Sequence, residues 1–150
     1  MKTQLSLLET GVTVSMTDRC IFCDIVAGKL LAFKLYEDDL FIAILDRFPA
    51  TTGHTLIIPK FHTEDIFGLC EKEAPGIMPL AQRIAVKIKE VLSPAGFNIL
   101  QNNGRAAGQV VFHYHMHIIP RYDGDGVKIH PASRDVSVQE LEEVAAKLKI

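Results

Sequence analysis

The sequence predicts an α+β domain, an antiparallel sheet with one main helix packed on a face. Three observations predict it. Apolar runs at residues 33–36, 40–46, 55–58, 97–101 and 110–119 have the length and content of strands. Most of them are joined by turns too short for a crossover helix, which favours antiparallel pairing. Between the third and fourth runs, Ile77, Leu80, Ala81, Ile84, Ala85, Ile88 and Val91 recur at three- and four-residue steps, the period of an amphipathic helix.

The elements follow in order. Residues 21–27 read as a short helix, with Ile21, Phe22, Ile25 and Val26 at helical spacing and Gly28 placed to end it. Glu37-Asp38-Asp39 joins the first two strands as a hairpin. Thr51-Thr52-Gly53 precedes the third strand and Pro59 is expected to stop it. Pro75 and Pro79 confine the main helix to a start near the second proline. Ser93-Pro94-Ala95-Gly96 breaks it, and the strand at 97–101 follows. Residues 102–109, with Gly104 and Gly108, form a loop. Residues 110–119 are the longest strand candidate, with Pro120 as its stop. A polar, glycine-containing stretch leads to a last helix at 138–148, whose Val138, Leu141, Val144, Ala145 and Leu148 are expected to dock on the body or on a second subunit.

Composition bounds the function. The chain has 150 residues, the usual size of one domain. Sixteen basic and eighteen acidic residues give a formal charge of −2, so no global positive field draws it to nucleic acid or anionic lipid. The longest apolar runs are far short of a membrane span. Residues 1–15 lack a clear cleavage site and carry Glu9, which makes a poor signal peptide; they read as a disordered leader to a single domain at 16–150. Three cysteines cannot form a fully paired disulfide framework. The default location is the cytoplasm.

Six histidines are the unusual count, and three stand in one row: His113-Tyr114-His115-Met116-His117. On a strand the three imidazoles share one face, about 6.6–7 Å apart at the Cα level, while Tyr114, Met116 and Ile118 share the other. The apolar face can pack under the helix. Three rings on the opposite face would each need hydrogen-bond partners if they were merely core. A surface strand with incidental histidines is one reading; an H-x-H metal site is a second, although no carboxylate stands near the row in sequence. In the third, the row is catalytic, since imidazole is a competent nucleophile near neutral pH and a good leaving group once bonded to phosphorus. The loop Asn102-Asn103-Gly104-Arg105-Ala106-Ala107-Gly108-Gln109 favours the third, because small residues and backbone N–H groups beside the row can cradle phosphate oxygens.

Cys20-x-x-Cys23 keeps three readings: a redox pair, which lacks its usual βαβ context; two small buried side chains; or half of a structural zinc site completed by histidines. Cys70 reads as a helix-end or core residue and His130 as a solvated loop histidine. Lys87, Lys89 and Glu90 read as the wet face of the main helix. Arg105 is either near a phosphate or simply exposed.

From Cys20 to about Arg121 the chain resembles the histidine triad (HIT) family, most closely its bacterial Hint-like branch. The resemblance rests on Cys20-Ile21-Phe22-Cys23, Tyr36-Glu37-Asp38-Asp39, Gly53-His54-Thr55-Leu56-Ile57-Ile58-Pro59-Lys60, the 102–109 loop and the histidine row. It implies a five-stranded antiparallel sheet, short N- and C-terminal helices beside the main one, and a homodimer. It also implies a hydrolase acting on a purine nucleotide or nucleoside phosphoramidate, with neither nucleic acid nor membrane as partner. His115 would attack the α-phosphorus and become nucleotidylated. His117 would hydrogen-bond the phosphate or leaving group, and His113 and His54 would support the cluster. Asn102, Gly108 and Gln109 would contact phosphate or ribose, Asp46 would hold the ribose hydroxyls, and Phe22 would line the base pocket. The resemblance also implies zinc on Cys20, Cys23, His62 and His113, and no catalytic metal. Val110 stands where many Hint-like members have serine, so a hydroxyl that helps the leaving group is missing. A slow nucleotide-binding scaffold and a metalloenzyme are the rival readings.

Overall fold

The computed structural model describes residues 20–129 and 132–150; the leader expected at 1–15 and His130 lie outside them. The described elements run α1 (Ile21–Val26), β1 (Lys34–Glu37), β2 (Phe41–Leu45), β3 (Thr55–Pro59), α2 (Ala74–Leu92), β4 (Gly96–Leu100), β5 (Met116–Arg121) and α3 (Val138–Leu148). The five strands form one antiparallel sheet in the order β1-β2-β3-β5-β4. This is the α+β architecture expected from the sequence.

Each face of the sheet buries its own core. On one side, α2 lays Ile77, Leu80, Ala81, Ile84 and Ile88 over Phe41, Ala43, Ile57, Met116 and Ile118. On the other, α1 lays Phe22 and Ile25 over Ile42, Ile44, Leu56 and Ile58. Covered on both sides, β2 and β3 read as unbroken apolar runs rather than as alternating strands. At Gly76 α2 runs close against the sheet: a Cβ there would stand 2.7 Å from Phe41 Cε2.

Three expectations are corrected. Helix α2 begins at Ala74, not near Pro79, which lies inside it. Pro75 takes a first-turn position where no N–H is needed, and Pro79 costs only the bond to the Pro75 carbonyl, on an exposed side of the helix where water can replace it. Strand β3 ends at Pro59 as expected, but β5 runs one residue past Pro120, to Arg121. On the β3 side the β5 ladder ends at Thr55 opposite Ile118, so the missing Pro120 N–H leaves no ladder bond unmade there.

The third correction bears on function. Strand β5 begins only at Met116, so His113 and His115 precede the ladder that holds His117. Their stretch leaves the ladder to bond the loop after β3: Tyr114 N–H donates to the Thr63 carbonyl at 2.6 Å. The alternation survives this detour, with Tyr114 and Met116 in the α2 core and the histidines on the α1 side. Of the two placements expected for the last helix, docking on the body is not seen: within the single chain α3 buries no side chain, and Val138 and Leu148 are more than two-thirds exposed, which leaves its apolar stripe to a second subunit.

Candidate active site

Three imidazoles follow one another along the α1 face. His113 and His115 are buried, and the His115 and His117 ring centroids lie 4.9 Å apart. Burial pushes His54, His113 and His115 below the ordinary histidine pKa, with His62 and His115 adding to the effect at His113. It pushes His117 furthest, to about 4, helped by its neighbours His115 and His54. Near neutral pH the rings are therefore uncharged, and each carries one N–H and one lone pair.

Hydrogen-bond partners assign which nitrogen holds the proton. His115 Nδ1 lies 2.7 Å from the His113 carbonyl oxygen, which only accepts, so Nδ1 carries the hydrogen and Nε2 keeps a bare lone pair. His54 Nδ1 accepts from the Ala50 N–H at 3.0 Å, so its hydrogen is on Nε2 and points at His117 Nδ1, 2.9 Å away. His117 must then carry its own hydrogen on Nε2. Two backbone groups thus set a nucleophilic nitrogen on His115 and a donor on its neighbour His117. Asp46 completes this corner: one carboxylate oxygen accepts from Phe48 N–H at 2.8 Å and the other lies 3.6 Å from His54 Nε2.

His113 belongs to a different corner. Its Nε2 donates to the Pro59 carbonyl at 2.8 Å, which leaves the Nδ1 lone pair facing the cysteines. Nδ1 lies 3.3 Å from Cys20 Sγ, 3.6 Å from Cys23 Sγ and 3.2 Å from His62 Nδ1, and Cys23 Sγ is 3.3 Å from that His62 nitrogen. A tetrahedral zinc at about 2.3 Å from sulfur and about 2.0–2.1 Å from nitrogen sets S···N edges of about 3.6 Å and N···N edges of about 3.3 Å. The donor set and its spacing fit such an ion. The Pro59 carbonyl supplies the outer hydrogen bond that orients a ligating histidine. Against the redox reading, burial and Cys20 push the Cys23 thiol up to about 11, away from the lowered pKa of a reactive C-x-x-C.

Asp46, His54 and His117 also converge within 4.8 Å, as the metal-on-the-row reading would need. Their outer bonds do not suit a cation. To ligate through Nε2, His54 would have to place its hydrogen on Nδ1, where the Ala50 N–H already points. That corner is built around a shared proton.

The remaining sequence-derived residues surround these corners. Phe22 is almost wholly buried, with its ring edge-on to His113 at 5.8 Å and to His115 at 5.0 Å. It wedges α1 against both rings. Gly108, at φ 85°, closes the tight turn at 105–107 of the loop, with Asn102 Nδ2 3.8 Å from where its Cβ would stand. Gln109 is buried and turned into the loop: Gly104 N–H donates to its Oε1 at 2.7 Å, and its Nε2 donates to the carbonyls of Glu64 at 2.6 Å and Val111 at 3.1 Å. Its own N–H donates to Gly104 O, so direct contact with a ligand would break a loop bond. Arg105 lies over the Phe112 ring at 5.1 Å, and Val110 is 85% exposed. Sequence reasoning missed the Ala50 N–H, the Pro59 and Glu64 carbonyls, and Asn103, whose Oδ1 accepts from Ile66 N–H at 2.8 Å. Only Asn103 left a side-chain signal; the others are backbone groups that any residue would supply.

A sheet of this order, with a buried histidine row beside a glycine-closed loop, defines a class of nucleotide-handling proteins. Residues 28–124 match the family model for the HIT domain, and the chain belongs to the HIT family, whose members are hydrolases or nucleotidyl transferases. A HIT family protein from Bacillus anthracis is 43% identical and superposes with a TM-score of 0.82 over 87% of this chain and 95% of that one. The zinc-bound histidine triad family protein from Mycobacterium smegmatis is 42% identical, with a TM-score of 0.69 over 86% and 94%. The adenosine 5'-monophosphoramidase of Schizosaccharomyces pombe is 38% identical over 87% of this chain and 98% of its own length.

Proposed function

We propose that the protein is a purine nucleoside phosphoramidase that releases a nucleoside monophosphate through a nucleotidyl-His115 intermediate. The observation that carries this is the bare Nε2 of His115, set by the His113 carbonyl, beside a His117 whose Nε2–H is free to face a phosphoryl oxygen. In the first half-reaction His115 Nε2 bonds to the α-phosphorus as the P–N bond of the substrate breaks. The amine leaves with that electron pair and with the proton its nitrogen carries in the protonated phosphoramidate. In the second, a water oxygen bonds to phosphorus, the P–Nε2 bond breaks and returns the lone pair to His115, and the water proton passes to solvent. His117 acts as a hydrogen-bond donor to the charge that develops on phosphoryl oxygen. It does not surrender its proton, because replacement through His54 would leave an anionic imidazole beside Asp46.

Asp46 binds the ribose hydroxyls, Phe22 borders the base, and the 102–109 loop cradles the phosphate through Asn102 and Gly108, with Gln109 holding the loop in shape rather than touching the ligand. The S. pombe relative supports the adenosine phosphoramidate class. The scheme needs no catalytic metal. Zinc is held on Cys20, Cys23, His62 and His113, where it would pin α1 to the sheet; the zinc-bound M. smegmatis relative supports this. A homodimer fits the sheet edge at β4, where Met78, Pro79, Val86, Phe97 and Ile99 line a groove of about 600 Å³ on the α2 side. Among the described residues no helix is long and apolar enough to cross a membrane, and the free cysteines accord with a cytoplasmic setting. Val110, exposed where the family's hydroxyl is expected, favours the slow-turnover scaffold as the second reading.

Purified wild type and His115→Ala, assayed for AMP release from adenosine phosphoramidate with and without a mild chelator, test the proposal. It expects turnover at saturating substrate to be lost in the variant and, in wild type, to persist with the chelator. Turnover that survives in His115→Ala would overturn the covalent route, and nucleotide binding without turnover in wild type would favour the scaffold.

A further inference from the structure

The segment 62–66 joins the two ends of the site in a way neither reading requires. It begins at His62, whose Nδ1 faces the cysteine pair. Its next residue, Thr63, gives its carbonyl to Tyr114 N–H, between His113 and His115. Glu64 gives its carbonyl to the Gln109 side chain, and Ile66 N–H donates to Asn103 Oδ1. The turn that follows is closed tightly, since a Cβ on Gly68 would stand 2.0 Å from Thr63 Oγ1. The 102–109 loop, in turn, has little apolar anchorage: residues 105–108 are exposed. Gln109 holds it together from within through Gly104 N–H, and to segment 62–66 from outside.

We propose that ion occupancy of the Cys20–Cys23–His62–His113 cluster and nucleotide binding at the 102–109 loop are thermodynamically coupled through segment 62–66, with Gln109 and Asn103 as the positioning residues that carry the coupling. This rests on the metal and nucleotide readings given above. An ion that fixes His62 orders 62–66 and, through two side-chain hydrogen bonds, holds the phosphate loop in its binding shape. The conformational entropy that nucleotide binding would otherwise cost is then already spent. Linkage makes the effect reciprocal: whatever factor zinc adds to nucleotide affinity, nucleotide adds to zinc affinity.

The test measures zinc affinity by competition with a chromogenic chelator, with and without saturating AMP, and AMP affinity by calorimetry on zinc-free and zinc-loaded chain. Wild type, Gln109→Met, Asn103→Ala and Cys23→Ser are compared, with circular dichroism to check that each chain is folded. Wild type is expected to show the same coupling in both directions, about tenfold, within the usual range for linked sites. Gln109→Met and Asn103→Ala are each expected to bind zinc as wild type does but to bring that factor down toward one. A general loosening of the fold would weaken both affinities and leave their ratio unchanged. Should Gln109→Met bind no AMP, the surface variant Asn103→Ala decides. Independent affinities in wild type overturn the coupling alone; a coupling factor present in wild type but undiminished in Asn103→Ala overturns the assigned route through segment 62–66. No zinc uptake in wild type, or uptake unaffected by Cys23→Ser, overturns the metal reading and the coupling with it. No AMP binding to folded wild type overturns the nucleotide reading and the coupling together.

Discussion

Among the described residues, two corners gather histidines with other possible ligands within 4.8 Å: Cys20, Cys23, His62 and His113 in one, Asp46, His54 and His117 in the other. They differ in what the second ring nitrogen does. The Pro59 carbonyl takes the Nε2 hydrogen of His113 and turns a lone pair toward the cysteines. The Ala50 N–H takes the Nδ1 lone pair of His54 and turns a hydrogen toward His117. A carbonyl behind a histidine prepares it for a cation, and an N–H behind it prepares it to share a proton. Chemistry that reads as one row in the sequence is divided by two backbone groups, with His115 at the boundary.

The comparison breaks most visibly at that boundary. His115→Ala removes the bare Nε2 lone pair, which is neither metal-facing nor shared, and is expected to lower turnover by roughly 10⁴-fold or more while zinc content is unchanged; steady-state assay and elemental analysis check both. Zinc loss acts on the other corner and on stability. At free zinc a thousandfold over its Kd, binding adds about 4 kcal/mol, so chelation or Cys23→Ser is expected to lower Tm by about 8–16 °C in differential scanning fluorimetry. A Tm indifferent to chelation would remove the distinction between the corners. His54→Gln, which loses the fixed N–H toward His117, is expected to cost roughly 10–100-fold in kcat/KM with zinc retained, the usual penalty for an outer-sphere partner.

The proton-sharing corner also predicts a pH dependence. Burial lowers the folded-state pKa of His54 and His117, the latter to about 4, against about 6.5 in the unfolded chain. The groups facing His117 are His115 and His54, which lower it further, and Asp46, which opposes them. Below about 6.5 the unfolded chain therefore binds more protons than the folded one. Stability is full above that pH and declines as pH falls toward 4; urea unfolding midpoints across pH 7.5 to 4 check this, and His117→Asn is expected to flatten the decline. The smallest effect is expected at Val110→Ser. A hydroxyl returned to that exposed position adds about one hydrogen bond, or about 1 kcal/mol, a fivefold gain in kcat for the poorest leaving groups.

Much of this was legible in the residues because it is periodic or local. Helical spacing from Ile77 to Ile88 gave the face that covers the sheet, and strict alternation from His113 to Ile118 separated the imidazoles from the core. Where helix α2 starts was not legible, because a proline inside a helix is tolerated or not according to which side of it meets water. The start of β5 was hidden for a related reason: His113 and His115 look like strand, but their backbone leaves the ladder to bond the 60–66 loop, some fifty residues away in sequence. The amphipathic stripe of α3 was readable, but not which of the two expected surfaces meets it: the body does not cover it, because a stripe announces a face without naming its cover.

The sequence by itself determined the layer architecture, the polarity of each sheet face and the identity of the chemical groups, since those depend on side-chain type and spacing along one chain. Only the tertiary structure decided which nitrogen of His54, His113, His115 and His117 holds a proton. It also decided that Gln109 clamps the loop and that Phe22 wedges two of the rings apart from solvent. Those outcomes depend on carbonyl and N–H groups carried by every residue, and folding alone selects which of them arrive behind a given ring.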